Sequence, residues 1–242
     1  MTAPIKLGFL YPGHSAEDDL PLMAGMLDPN IEVNVVHTSV GEDAHRIDAL
    51  LDLGQSDRLV PASDPLFGTG IAAVIWACTS GSFVFGRDGA REQARILEDY
   101  LRIPASSTSL AFADALAAMG LRRVAIAATY PDEVAQSFVD FLAECDIETV
   151  SWRGEGIVTA AEVGRLPVER IMEFVSGGDH PDAEAILVPD TAAHTATVIE
   201  PLEKRLGKPV ITANQVSLWQ ALRLANGLTP RTGLGRLFNT AY

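Results

Sequence analysis

Ala72-Ala73-Val74-Ile75-Trp76-Ala77-Cys78-Thr79-Ser80-Gly81-Ser82 is an apolar run that stops at a cysteine followed by small hydroxylated residues. A continuous apolar run of this length, ending at turn-forming residues, reads as a buried strand of a parallel sheet. It delivers a thiol, hydroxyls and backbone N–H groups to one sheet edge, where open parallel α/β sheets bind ligands. There Cys78 can act as nucleophile or base, and the amides and hydroxyls after it can hold a carboxylate. The competing reading is a buried cysteine in a tight strand-to-helix turn, since free Cys is among the most buried residue types. The hydroxyl-rich flank favours function.

Outward from this stretch, short apolar runs alternate with longer amphipathic ones, the pattern of parallel sheets flanked by helices. The runs predict strands over Ile5–Tyr11, Ile31–His37, Ile71–Ala77, Val124–Thr129, Ile147–Trp152, Ala185–Val188 and Val210–Ala213. Helices are expected over Ala44–Leu53, Gly89–Leu101, Ser109–Met119, Pro131–Glu144, Val168–Val175 and Thr195–Leu206, with Gly120 and Gly207 as stops. The two halves echo each other. Strands ending at Tyr11 and Cys78 in the first half match strands ending at Thr129 and Asp190 in the second, roughly sixty residues apart in each case. The echo suggests two copies of one α/β unit with parallel sheets, facing each other across a cleft that would bring Cys78 and Asp190 together. The first unit is expected over 1–118, with 215–242 packing back on it, and the second over 119–214.

Composition removes several function classes. The formal net charge of −14 opposes nucleic acid and anionic membrane surfaces, and no Lys/Arg cluster reverses it locally. Two cysteines make neither a disulfide framework nor a metal cluster, so a reducing compartment is expected. Neither a signal peptide nor a membrane-spanning run is evident, which predicts a cytoplasmic protein. Gly154-Glu155-Gly156 and Gly233-Leu234-Gly235 lack the continuation of a dinucleotide-binding motif, and no nucleophile elbow or zinc signature appears.

The chain resembles the aspartate/glutamate racemase superfamily, and within it the branch holding arylmalonate decarboxylase and maleate cis-trans isomerase. The resemblance rests on residues in order along nearly the whole chain. These are Gly8-Phe9-Leu10-Tyr11-Pro12, Cys78-Thr79-Ser80, Gly120-Leu121-Arg122-Arg123-Val124-Ala125 into Ala128-Thr129-Tyr130, Ser217-Leu218-Trp219-Gln220-Ala221-Leu222-Arg223-Leu224-Ala225 and Gly235-Arg236-Leu237-Phe238. It implies two similar flavodoxin-like α/β domains related by a pseudo-twofold axis with the site in the cleft between them, and an enzyme without cofactor or metal, acting on a small-molecule carboxylate; a homo-oligomer is expected. By the same resemblance Cys78 sits at the first of the two catalytic cysteine positions. Thr79 and Ser80 match the carboxylate cage, and Tyr130 matches a tyrosine that completes it. The second cysteine position falls on Asp190.

That substitution leaves two readings of Asp190. In one it is the acid/base partner of Cys78, with a pKa raised in a dry cleft. In the other it is a helix N-cap before Thr191-Ala192-Ala193. Thr191, His14 and Ser15 complete the expected substrate-binding set. Ser15 stands where the isomerases resemble one another in carrying an asparagine, and Ala160 near a second, so a ligand shaped differently from maleate is expected. His194 is expected on the first turn of a helix. His37, His45 and His180 read as surface residues, Cys145 as a packed small side chain, and Glu17-Asp18-Asp19 as a helix start or solvated loop without metal-ligand spacing. The activity this supports is isomerisation or racemisation by a Cys78 thiolate, its pKa lowered by backbone amides and the following helix. The alternatives are an arylmalonate decarboxylase-like lyase and a carboxylate-binding relative without catalysis.

Overall fold

The computed structural model describes residues 3–239; positions 1, 2 and 240–242, at the ends of the expected first unit, lie outside the described residues. The first half runs β1 (Ile5–Pro12), α1 (Asp19–Leu27), β2 (Ile31–Thr38), α2 (Ile47–Leu53), α3 (Ser56–Ala62), β3 (Ala73–Trp76), α4 (Ser80–Phe83), α5 (Gly86–Leu101), β4 (Ala105–Ser107) and α6 (Thr108–Met119). The second runs β5 (Arg123–Ala128), α7 (Asp132–Glu144), β6 (Glu148–Gly154), α8 (Ala160–Val163), α9 (Val168–Gly177), β7 (Ala185–Val188), α10 (Ile199–Leu206) and β8 (Val210–Thr212). Two further helices follow, α11 (Ala213–Leu224) and α12 (Gly235–Asn239).

Two four-stranded parallel sheets result, in the orders β2-β1-β3-β4 and β6-β5-β7-β8. The orders are the same, so the echo in the sequence is an echo in space. The inner strands β3 and β7 are buried along their whole length, while the edge strands β2 and β6 are mostly half-exposed. That is why the former read as unbroken apolar runs and the latter as mixed ones. Helix α5 buries Ala90, Gln93, Ala94, Leu97 and Leu101, one helical stripe, against the first sheet. Gly120 and Gly207 close α6 and α10 in the left-handed conformation, as the sequence predicts.

One hydrophobic cluster runs through both halves, from Leu7 and Trp76 to Phe138 and Leu187, with a smaller one around Ile186 and Leu202. Phe138 of α7 lies with its ring centroid 5.2 Å from Phe83 and 5.5 Å from Phe112, stitching the second half to the first. Helix α11 leaves the second sheet but packs on α6, β3 and α1, and all its residues from Ala213 to Leu222 are buried. Among the described residues no helix is long and apolar enough to cross a membrane.

Several expectations shift. The strand β4, the helix α3 and the long α11 are among the additions to the expected elements, and α1 starts at Asp19, where Glu17-Asp18-Asp19 allows a helix start. Helix α10 begins at Ile199, not near Thr195, because residues 190–198 form turns. His194 therefore lies in that turn segment, its Nε2 2.9 Å from Asp18 Oδ1.

Candidate active site

Loops leaving the carboxyl ends of β1, β2, β3 and β7 meet around a cavity of about 230 Å³, with Ala160 and Ala161 of α8 forming part of its wall. Cys78 comes two residues after the end of β3 and Asp190 two residues after the end of β7. Both line the cavity, with Tyr11, His14, Ser15, Ser80 and Thr191. Thr79 and Tyr130 do not line it. Both are buried behind its surface, Tyr130 with His45 edge-on against it at 4.9 Å between centroids.

The cysteine loop is held from below. Gly81 N–H donates to Cys78 Sγ at 3.3 Å, and Ser80 Oγ lies 3.9 Å from the same sulfur. A Cβ on Gly81 would sit 3.0 Å from that sulfur and 3.3 Å from the Trp76 ring, so the glycine leaves room for this close approach. Gln93 of α5 donates to the carbonyls of Gly81 and Gly54, at 2.9 and 2.8 Å. Beneath the short helix α4, Ser109 Oγ donates to Ser82 Oγ, which donates on to Ser107 Oγ, each at 2.7 Å. These buried bonds fix the loop that carries the thiol.

The thiol is not the poised thiolate that the sequence suggests. Burial removes the solvation a thiolate needs, and the carboxylate of Asp190 adds repulsion; together they outweigh the Gly81 and Ser80 donors and push the Cys78 thiol up to about 12. The four-residue α4 is too short to reverse this. Burial first, and then the charge on Asp190, likewise hold the Tyr130 phenol well above its ordinary value. Tyr130 donates to Pro189 O at 3.0 Å, and the hydroxyls of Ser80 and Thr79 beside it offset part of that rise.

Asp190 caps no helix. Its Oδ2 accepts the Thr129 hydroxyl and its Oδ1 accepts Ala192 N–H at 2.9 Å, a local turn bond that fixes the carboxylate at the cavity floor. Tyr11 ties the halves together at this point, donating to Thr191 O at 2.8 Å and lying 2.8 Å from Ser15 Oγ. Asn214 of α11 donates to the carbonyls of Thr191 and Ala16, at 3.0 and 3.2 Å.

His45 departs most from expectation. It is buried and lines the cavity, its Nδ1 2.9 Å from Ile157 O and its amide bonded to Val158 O. A carbonyl only accepts, so Nδ1 carries the proton in that bond. The signal that could have found it was Val158 pairing with the segment before α2, a contact between halves that no local pattern carries. The remaining lining joins Val40, Ala44, Leu50 and Leu53 to Glu42 and Asp43, with no Lys or Arg among the described lining residues. Cys145 is half-buried at the end of α7, away from the cavity.

The arylmalonate decarboxylase family profile matches residues 53–238. The chain is 31% identical over 173 residues to arylmalonate decarboxylase of Bordetella bronchiseptica, covering 70% of this chain and 72% of that protein. It is 25% identical over 135 residues to maleate isomerase of Alcaligenes faecalis, 55% of this chain and about half, 53%, of that protein. Among solved structures, a liganded arylmalonate decarboxylase in which a glycine is replaced by cysteine and a cysteine by serine superposes with a TM-score of 0.86. That structure is 26% identical, and the match covers 98% of this chain and 99% of that one.

Proposed function

The chain belongs to the arylmalonate decarboxylase family, in the branch of the aspartate/glutamate racemase superfamily that also holds the maleate isomerases, and from that premise we propose that it moves a proton at the α-carbon of a small carboxylic acid, isomerising or racemising it without a cofactor. The observation that carries this reading is the arrival of a protonated thiol, Cys78, and a carboxylate, Asp190, in one cavity from equivalent strand ends. Asp190 takes the α-proton, and the electron pair of the C–H bond passes into the substrate carboxylate, giving an enediolate. Ser80 and the amides of the cysteine loop supply fixed donors for that charge. Cys78 then donates its proton to the other face and leaves as a thiolate beside the Gly81 and Ser80 N–H groups.

The two groups are coupled. Once Asp190 is protonated by the substrate, its repulsion on Cys78, a smaller contribution than burial, is lifted, which eases release of the thiol proton when it is needed. The substrate that fits is a monocarboxylate or malonate with a compact apolar α-substituent, which Val40, Leu50 and Leu53 would face.

Decarboxylation is the second reading, favoured by the 31% identity to an arylmalonate decarboxylase. Loss of CO2 from a malonate gives the same enediolate, and Cys78 protonates it with no need of Asp190. Proton NMR in deuterated buffer separates the two. The substrates are each enantiomer of 2-phenylpropanoate, 2-methyl-2-phenylmalonate and maleate. α-Deuteration with loss of optical purity supports the first reading and release of CO2 the second. Silence on all of them, with the protein folded, would favour a carboxylate-binding relative.

A further inference from the structure

His14, Glu17 and His37 form, among the described residues, the one group of three ligand-type side chains that converge: His14 Nδ1, a Glu17 oxygen and His37 Nε2 all lie within 4.8 Å of one another. Glu17 Oε1 is 2.9 Å from His14 Nδ1 and 3.2 Å from His37 Nε2, and the two imidazole centroids are 3.9 Å apart. As a run of carboxylates, Glu17-Asp18-Asp19 has no ligand spacing; the two histidines come from the loop after β1 and from β2, and only the fold joins them.

We propose that these three residues form a binding site for a zinc-class divalent cation beside the cavity. Two imidazole nitrogens and one carboxylate oxygen are a ligand set that zinc takes at about 2.0–2.2 Å, with a fourth position left open. Ligand atoms around such an ion stand roughly 3.4 Å apart, close to the spacings already present. The set is also supported from outside. The other Glu17 oxygen, Oε2, accepts Ser15 N–H at 2.8 Å, which orients the carboxylate and leaves Oε1 for the ion. His37 stands on a strand paired in register with Tyr11, so its backbone is rigid.

His14 also lines the cavity, so the site borders it. Glu42, Asp43 and Asp190 line the same cavity without a Lys or Arg, and an anionic substrate would gain from a cation there. This last link rests on the proposed function; the cation site does not.

The test is calorimetric titration of the whole protein with Zn²⁺ in the absence of any carboxylate, repeated on H37A, E17A and, as a control at a half-buried histidine elsewhere, H180A. The expected result is saturable uptake of one ion per chain, weakened at least about tenfold in H37A and in E17A and unchanged in H180A. No saturable uptake, or uptake equal in all four proteins, overturns the proposal and leaves the cluster a hydrogen-bonded network. Circular dichroism melts of the variants verify that they are folded. Turnover is measured separately, so an inactive protein that still takes up zinc through these residues defeats the proposed function and not the site.

Discussion

Cys78 and Asp190 occupy equivalent places in the two sheets, each two residues past an inner strand and each lining the same cavity. They differ in what burial does for them: the thiol is held neutral, the carboxylate is held by the Thr129 hydroxyl and the Ala192 amide. C78S is expected to cut turnover by about 10²–10⁴, the contribution of a positioned acid. D190N is expected to abolish α-deuteration of 2-phenylpropanoate while leaving any decarboxylation of 2-methyl-2-phenylmalonate within a few-fold. Steady-state rates for both reactions on both variants check this, and full exchange by D190N would remove the two-group mechanism.

The thiol also makes a prediction in pH. With Cys78 pushed up to about 12 against an ordinary value of 9.0, its alkylation in the ligand-free protein is expected to rise about tenfold per pH unit from 7 to 10 without a plateau. Half-buried Cys145 is expected to react first. The stability linkage has a definite sign. The native thiol holds its proton more tightly than the unfolded one, so this contribution is intact below about pH 9 and is lost as pH rises toward 12. Peptide mapping after timed iodoacetamide exposure reports the rates; a plateau near neutrality would mean a poised thiolate.

Gly54 is where backbone meets backbone under the cysteine loop. A Cβ there would lie 2.1 Å from Gly81 O and 2.6 Å from the Phe85 ring, so G54A must push the loop away from α2. It is expected to cost about 1–3 kcal/mol and to lower activity with it. Thermal melts measure the first; a variant that melts like the wild type would show that the loop has room.

His45 bridges the halves through its bond to Ile157 O and covers Tyr130. H45F keeps an aromatic ring against Tyr130 and loses the bond. The expected outcome is a KM raised roughly 2–10-fold, the worth of one neutral hydrogen bond, with kcat within a few-fold. A collapse of kcat instead would make His45 part of the proton path.

Much of this architecture is legible in the chain because inner parallel strands must be apolar on both faces, and so β3 and β7 announce themselves. Strand β4, Ala105–Ser107, does not, being three residues long with two serines whose hydroxyls serve the buried network. Helix α11 is hidden for a related reason: Asn214, Gln215, Ser217 and Gln220 are buried but hydrogen-bonded, so it shows no amphipathic stripe. Asp190 was findable because Cys78 and Asp190 close equivalent runs, but its turn bond mimics the start of a helix. His45 and the His14–Glu17–His37 group were not findable, since each depends on contacts between segments distant along the chain. The raised thiol was missed for a different reason: local amides can be counted from a sequence, whereas burial and a carboxylate from the other half cannot.

Helix α11 sets an order for making this protein. Its residues follow every strand in chain order, yet they cover β3 and α6 of the first half. A nascent chain halted before Ala213 would carry a complete set of first-half strands without the helix that packs on β3 and α6, so the earlier lobe closes only once α11 has been made, and the interval is when it is most exposed to aggregation.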